Sequence, residues 1–202
     1  MLILRTSAAS PFGRKVRIAA EVAGLADRVR MEPADTNDTD DPLRRQNPLG
    51  KIPTLLLEDG EPLFDSRVIV EYLNDIAAAP VLVPPGTARI AVLRHQALAD
   101  GLLDACILQV YEGRYRPPEL RGERWMDLQR GKMERTLAHL AERCAAPGGG
   151  APHIGEITQA CALGYLDLRF EGAWRAQHPA LAAWLRDFAA RVPAFDRTAP
   201  PV

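Results

Sequence analysis

The chain has 202 residues, a net charge of −1 and 47% hydrophobic residues, enough for one large domain or two small ones with a sizeable core. The balanced charge provides no basic footprint for nucleic acid or an anionic membrane surface. No apolar run approaches the roughly 18 residues of a membrane span, and the first five residues lack a signal peptide's charged and long apolar regions.

Leu2 to Thr6 reads as a short apolar strand. Ser10 is a favoured N-cap and Pro11 a favoured first helical residue. They open an amphipathic helix over residues 11–23, with Val16, Ala19, Ala20 and Ala23 on one face and Gly24 as its stop. A hydroxyl therefore sits at the N-terminus of a helix leaving a strand, where unpaired N–H groups and the helix dipole favour an anion. Residues 29–33 suit a second strand, and Asp41-Pro42 starts a short helix through Arg45. Residues 52–57 read as a strand, Asp59-Gly60 as a tight hairpin and residues 62–64 as the return strand. Asp65 or Ser66 caps a helix carrying Val68, Ile69, Tyr72, Leu73 and Ile76. The resulting order, βαβαββα, is an α/β arrangement.

Residues 80–86 hold three prolines and a glycine and read as a linker between a first domain, 1–79, and a second, 87–202. Beyond it the patterns are helical: residues 87–116, broken by Pro117-Pro118; 119–144; an apolar helix over 155–170; and 179–191, with proline at its first position. Residues 147–152 form a glycine- and proline-rich loop. Cys106, Cys144 and Cys161 are widely spaced and read as buried reduced thiols of a cytoplasmic protein. His95, His139, His153 and His178 show no metal-ligand spacing, so no metal is expected.

Three blocks carry a family resemblance: Ser10-Pro11-Phe12-Gly13-Arg14-Lys15-Val16-Arg17-Ile18-Ala19, Asn47-Pro48-Leu49-Gly50-Lys51-Ile52-Pro53-Thr54-Leu55, and Phe64-Asp65-Ser66-Arg67-Val68-Ile69-Val70-Glu71-Tyr72-Leu73. In this order, before an all-helical half, they resemble the cytosolic glutathione S-transferases of serine type. The resemblance covers nearly the whole chain. It implies a thioredoxin-like, glutathione-binding first domain, an all-α second domain holding an apolar electrophile, and a cytoplasmic homodimer. The activity implied is conjugation of glutathione to that electrophile, with a non-catalytic ligand-binding relative and a glutathione-dependent isomerase, dehalogenase or peroxidase as the alternatives.

By the same resemblance, the Ser10 hydroxyl donates a hydrogen bond to the glutathione sulfur. A free thiol has a pKa near ~8.5, and lowering it by about two units needs roughly 2.7 kcal/mol. One hydrogen bond to a charged group supplies ~1.5–3 kcal/mol and a helix N-terminus ~0.3–1 kcal/mol. The sum suffices without a metal. Ser7, at the strand end, is the rival hydroxyl; Ser10 is favoured because it directly precedes the Pro-Phe-Gly motif. Ser10-Pro11-Phe12-Gly13 stands where a thioredoxin has CxxC, so dithiol exchange is not expected.

Pro53 is implied to be cis, presenting the Ile52 backbone to glutathione's cysteinyl part. Ser66 would bind the γ-glutamyl carboxylate, Asp65 the amine and Lys51 the glycyl carboxylate. Asp65 stands where many relatives carry Glu or Gln and reaches one methylene less far. Asp100 is matched to an aspartate that faces the partner subunit's glutathione. Tyr111 and Tyr115, four apart on one helix, suit either the lining of the electrophile site or packing in the core or an interface. One departure concerns stability. Where the family has a hydroxyl cap before the apolar helix, this chain has His153-Ile154-Gly155-Glu156, which predicts a lost capping bond of ~0.5–2 kcal/mol.

Overall fold

A computed structural model describes residues 1–79, 82–143 and 150–201. Pro80 and Val81 of the expected linker, Cys144 and residues 147–149 of the expected loop lie outside the described residues. The first strand, β1 (Leu2–Thr6), is the hub of a four-stranded sheet of order β2-β1-β3-β4. It pairs in parallel with β2 (Val29–Pro33), Leu4 opposite Met31, and antiparallel with β3 (Thr54–Leu56), Leu4 opposite Leu55. The short β4 (Pro62–Leu63) pairs antiparallel with β3. The third strand starts two residues later than its pattern suggests, because Pro53 has no N–H to give the ladder. Leu57 belongs to the turn, where its N–H meets the Glu61 carbonyl at 2.9 Å and Gly60 takes φ 90°. Leu2, Leu4 and Leu55 fill the core on one side of this sheet.

Helix α1 (Pro11–Val22) is capped as expected: the Ser10 hydroxyl accepts the Gly13 N–H at 3.1 Å. Its apolar residues Val16, Ile18 and Ala19 are fully buried. Gly13 is required by the close approach of α1 to β1, since a Cβ there would collide with the Thr6 hydroxyl oxygen. Helix α2 (Leu43–Gln46) begins where the Asp41 carboxylate accepts the Leu43 N–H at 2.7 Å. Helix α3 (Ser66–Ile76) is capped by Asp65, which accepts the Arg67 N–H at 2.8 Å.

The rest is helical: α4 (Ala88–Tyr115), α5 (Glu123–Glu142), α6 (Ile154–Phe170), α7 (Trp174–Gln177), α8 (Pro179–Arg191) and α9 (Ala194–Arg197). Together the two halves form a thioredoxin-like α/β region followed by an all-α one. The expected 119–144 helix starts later, at Glu123. Pro118–Leu120 forms a single 3₁₀ turn, and Arg121 turns back to the carbonyls of Arg116 and Gly113. The apolar α6 is the axis of the helical half, packed on α4 and also on α1. Among the described residues no helix is long and apolar enough to cross a membrane.

The expected capping loss at α6 is overturned. His153 replaces the hydroxyl with imidazole Nδ1, which accepts the Glu156 N–H at 3.2 Å, while Glu156 Oε2 accepts the His153 N–H at 3.0 Å. A neutral imidazole nitrogen is an acceptor like a hydroxyl oxygen, so the reciprocal box is complete. Gly155 makes this start possible, for a Cβ there would lie 2.8 Å from the His95 ring.

Candidate active site

The end of β1 and the start of α1 open onto a cleft of about 820 Å³ between the sheet half and the helices. Ser7, Ser10, Phe12, Lys51 and Ile52 line its sheet side, and Asp104, Tyr111 and Tyr165 its helical side. Ser10 is 8% exposed, and its oxygen is committed to the Gly13 N–H. A hydroxyl has one proton and two lone pairs, so this geometry leaves the Ser10 proton free to be donated into the cleft. Ser7 shares the cleft and is tied through its carbonyl, which accepts the Ser10 N–H at 3.1 Å.

The Lys51-Ile52 wall is built by Asn47. Buried, it accepts the Leu49 N–H at 3.0 Å and donates to the Lys51 carbonyl at 3.0 Å and the Thr54 hydroxyl at 3.1 Å. Gly50 closes the turn at φ 59°, a conformation that glycine adopts without steric cost. The Ile52–Pro53 peptide is cis, as is Phe64–Asp65.

Pro53, Asp65, Ser66 and Asp100 do not line the cleft. Ser66 is buried at the first residue of α3 and Asp65 is exposed beside it. Asp100 is wholly buried and engaged on both oxygens within its own chain: Lys15 Nζ stands 2.8 Å from Oδ1, and Arg67 Nε 2.9 Å from Oδ2. This triad joins α1, α3 and α4. Asp104, one turn along α4, is the acid of that helix that reaches the cleft. Burial and then the Asp100 charge push its carboxyl up, against the pull of Arg67 and Lys51. The same field links the cleft to the N-terminus of α3, since Asp65 acts on both Asp104 and Arg67.

Sequence reasoning misses Lys15, Arg67 and Asp104. It also misses a strap across the cleft mouth, where the Tyr115 hydroxyl donates to Asn37 Oδ1 at 2.8 Å. No local signal marks these partners, which lie 33 to 85 residues apart in the ion pairs and 78 in the strap. The protein's described thiols play no part here. Cys106 and Cys161 are buried and free, and burial pushes each up to about 12, so they remain protonated.

A second cavity of about 500 Å³ lies between α4, α5 and α6, beside His95, His139 and His153. Each imidazole is already engaged within the chain. His95 Nε2 meets Gln159 Oε1 at 2.7 Å, His139 Nδ1 meets Arg143 at 3.2 Å, and His153 caps α6. Among the described residues no group of three or more His, Cys, Asp or Glu is arranged to hold a metal ion.

Two family models match the chain, the glutathione S-transferase N-terminal domain over residues 9–76 and the C-terminal domain over residues 123–187. An uncharacterized GST-like protein of Escherichia coli (strain K12), YibF, is 34% identical over 197 residues, covering 95% of each chain. The probable glutathione S-transferase GSTU1 of Oryza sativa subsp. japonica is 33% identical over 195 residues, or 92% of this chain and 84% of the relative. A crystal structure of a glutathione S-transferase from Methylobacillus flagellatus KT with GSH bound superposes over 100% of both chains, with a TM-score of 0.91 and 38% identity.

Proposed function

The chain belongs to the glutathione S-transferase family, and from that premise we propose that it binds glutathione with the sulfur in the cleft and the γ-glutamyl end reaching beyond it to the start of α3, and transfers that sulfur to an electrophile. The observation that carries this reading is the Ser10 hydroxyl, which lines the cleft at the N-terminus of α1 and accepts the Gly13 N–H, so that its own proton is left to donate. A thiolate placed there gains a charge-assisted hydrogen bond and the favourable end of a helix dipole. Catalysis then consists of stabilising the thiolate and holding it near the electrophile. The GSH-bound relative supports the ligand assignment.

In this reading residues 1–79 form the glutathione-binding domain, 80–86 a linker and 87–202 the domain facing the electrophile. The Ile52 backbone, set by Pro53, pairs with the cysteinyl unit, and Lys51 meets the glycyl carboxylate. Asp65 and Ser66 receive the γ-glutamyl end at the start of α3. Asp100 contributes through Arg67, which it holds next to that helix start. A cytoplasmic homodimer acting on small electrophiles completes the proposal.

Calorimetry with glutathione, read together with a thiol titration of the bound ligand, tests it. Saturable binding is expected, with the bound thiol titrating below its free value. Ser10→Ala should return that titration towards the free thiol and lower kcat/KM by about 10- to 150-fold, the equivalent of one charge-assisted hydrogen bond. An unchanged titration in Ser10→Ala would transfer the role to Ser7, and absence of glutathione binding would refute the function.

A further inference from the structure

The helical wall of the cleft is not uniformly apolar. Tyr111 and Arg114 on α4 and Tyr165 and Arg169 on α6 all line it. The Arg114 guanidinium stands 5.7 Å from the centre of the Tyr111 ring, and that of Arg169 5.7 Å from the centre of the Tyr165 ring. Both separations are within the range of cation–π attraction. Among the described residues neither guanidinium has a carboxylate within ion-pair distance, whereas Arg5, Arg67, Arg89, Arg175 and Arg191 all do. The acid on the same wall, Asp104, sits in the field of Lys51 and Arg67. The other acid in the cleft, Asp35, accepts the Asn37 N–H at 2.8 Å.

We infer that the electrophile accepted by this cleft carries a carboxylate, received by Arg114 and Arg169, on a planar unsaturated body that lies against Tyr111 and Tyr165. This rests on the reading that glutathione occupies the Ser10–Ile52 side. The guanidinium fork matches the two oxygens of a carboxylate, and the tyrosine faces suit a flat conjugated framework. Two cations without acidic partners in one cleft also raise the local concentration of an anionic substrate. The carboxylate takes no part in the bond changes. With an activated aryl halide, the thiolate sulfur forms the new C–S bond, the C–halogen bond breaks, and the halide leaves with its electron pair.

The test compares the affinities of the full chain for glutathione, S-benzylglutathione and S-(4-carboxybenzyl)glutathione by calorimetry, at low and high salt. The carboxylated conjugate is expected to bind about tenfold more tightly than the benzyl conjugate, or better, as one charge-assisted hydrogen bond allows. That ratio should shrink with added salt and fall towards one in the double variant Arg114→Gln/Arg169→Gln. Equal affinities in the unaltered chain, or glutathione binding without either conjugate, overturn the inference and leave the transferase reading in place. A preference that survives in the double variant overturns the assignment to these arginines. Failure of all three ligands to bind overturns both readings.

Discussion

Replacing His153 with alanine isolates one of the two bonds that start α6. The variant loses the acceptor for the Glu156 N–H, at 3.2 Å, and keeps the bond from the His153 position's own N–H to Glu156 Oε2, at 3.0 Å. Loss of a side-chain cap costs about 0.5–2 kcal/mol, and with half of the box retained about 1 kcal/mol is expected. For a chain of 202 residues that lowers Tm by roughly 2–4 °C. The cap also depends on pH. Burial lowers the His153 pKa from its ordinary 6.5, with Glu156 opposing the shift and Arg191 adding to it. The unfolded chain therefore binds the proton more tightly than the folded one, and stability rises with pH in this range. The contribution is complete above 6.5 and is lost as pH falls through the lower folded value. His95, whose ring centre is 5.6 Å away, is shifted downwards by burial and also by the His153 charge, so His153→Ser, which lacks that charge as His153→Ala does but keeps a cap, is the reference for the His95 share of the difference. Thermal melts followed by circular dichroism at about pH 8 and about pH 5 bracket the ordinary histidine range. The gap between the parent and His153→Ala should be open at the higher pH and close at the lower, and His153→Ser should restore stability at both. A gap of equal size at both pH values would show that the imidazole is not the acceptor.

Three further outcomes are expected. Gly13→Ala forces a methyl into the Thr6 hydroxyl and should cost about 1–3 kcal/mol in urea denaturation, with partial recovery in Gly13→Ala/Thr6→Ala. Asp100→Asn leaves Lys15 buried beside a neutral amide, so a loss of about 3–5 kcal/mol is expected in the same assay, and a loss below about 1 kcal/mol would contradict the triad. Tyr115→Phe removes the bond to Asn37; amide exchange should accelerate in residues 34–37, while β1 and β3 keep their protection.

What can be read from the sequence is set by short-range chemistry. The Ser10 cap, the Asp65 cap and the Asp59-Gly60 hairpin each depend on residues within a few positions, and each forms as its residue types require. Ser7, Ser10, Lys51 and Ile52 can be picked out by their motifs, and they do meet at one cleft. Asp100 escapes such reading for the opposite reason. Its partners come from α1 and α3, and nothing in the run 99–104 distinguishes an acid saturated inside the chain from one facing outwards. His153 misleads by residue type, because the usual preference for hydroxyl caps hides the capacity of a neutral imidazole to accept the same bond.

The Lys15–Asp100–Arg67 triad bears on how such a chain can be recombined. Its carboxylate comes from the second half and both of its cations from the first. The same α1 sends Arg14 to the Phe195 carbonyl at 2.6 Å and Arg17 to the Thr198 carbonyl at 3.3 Å. A hybrid that joins residues 1–79 to the helices of a relative therefore inherits the buried Lys15 and Arg14, whose acceptors it must also supply. Domain exchange is workable when position 100 and residues 195–198 travel with α1, so the natural unit of exchange is that set of long-range partners and not the stretch of chain on either side of the prolines.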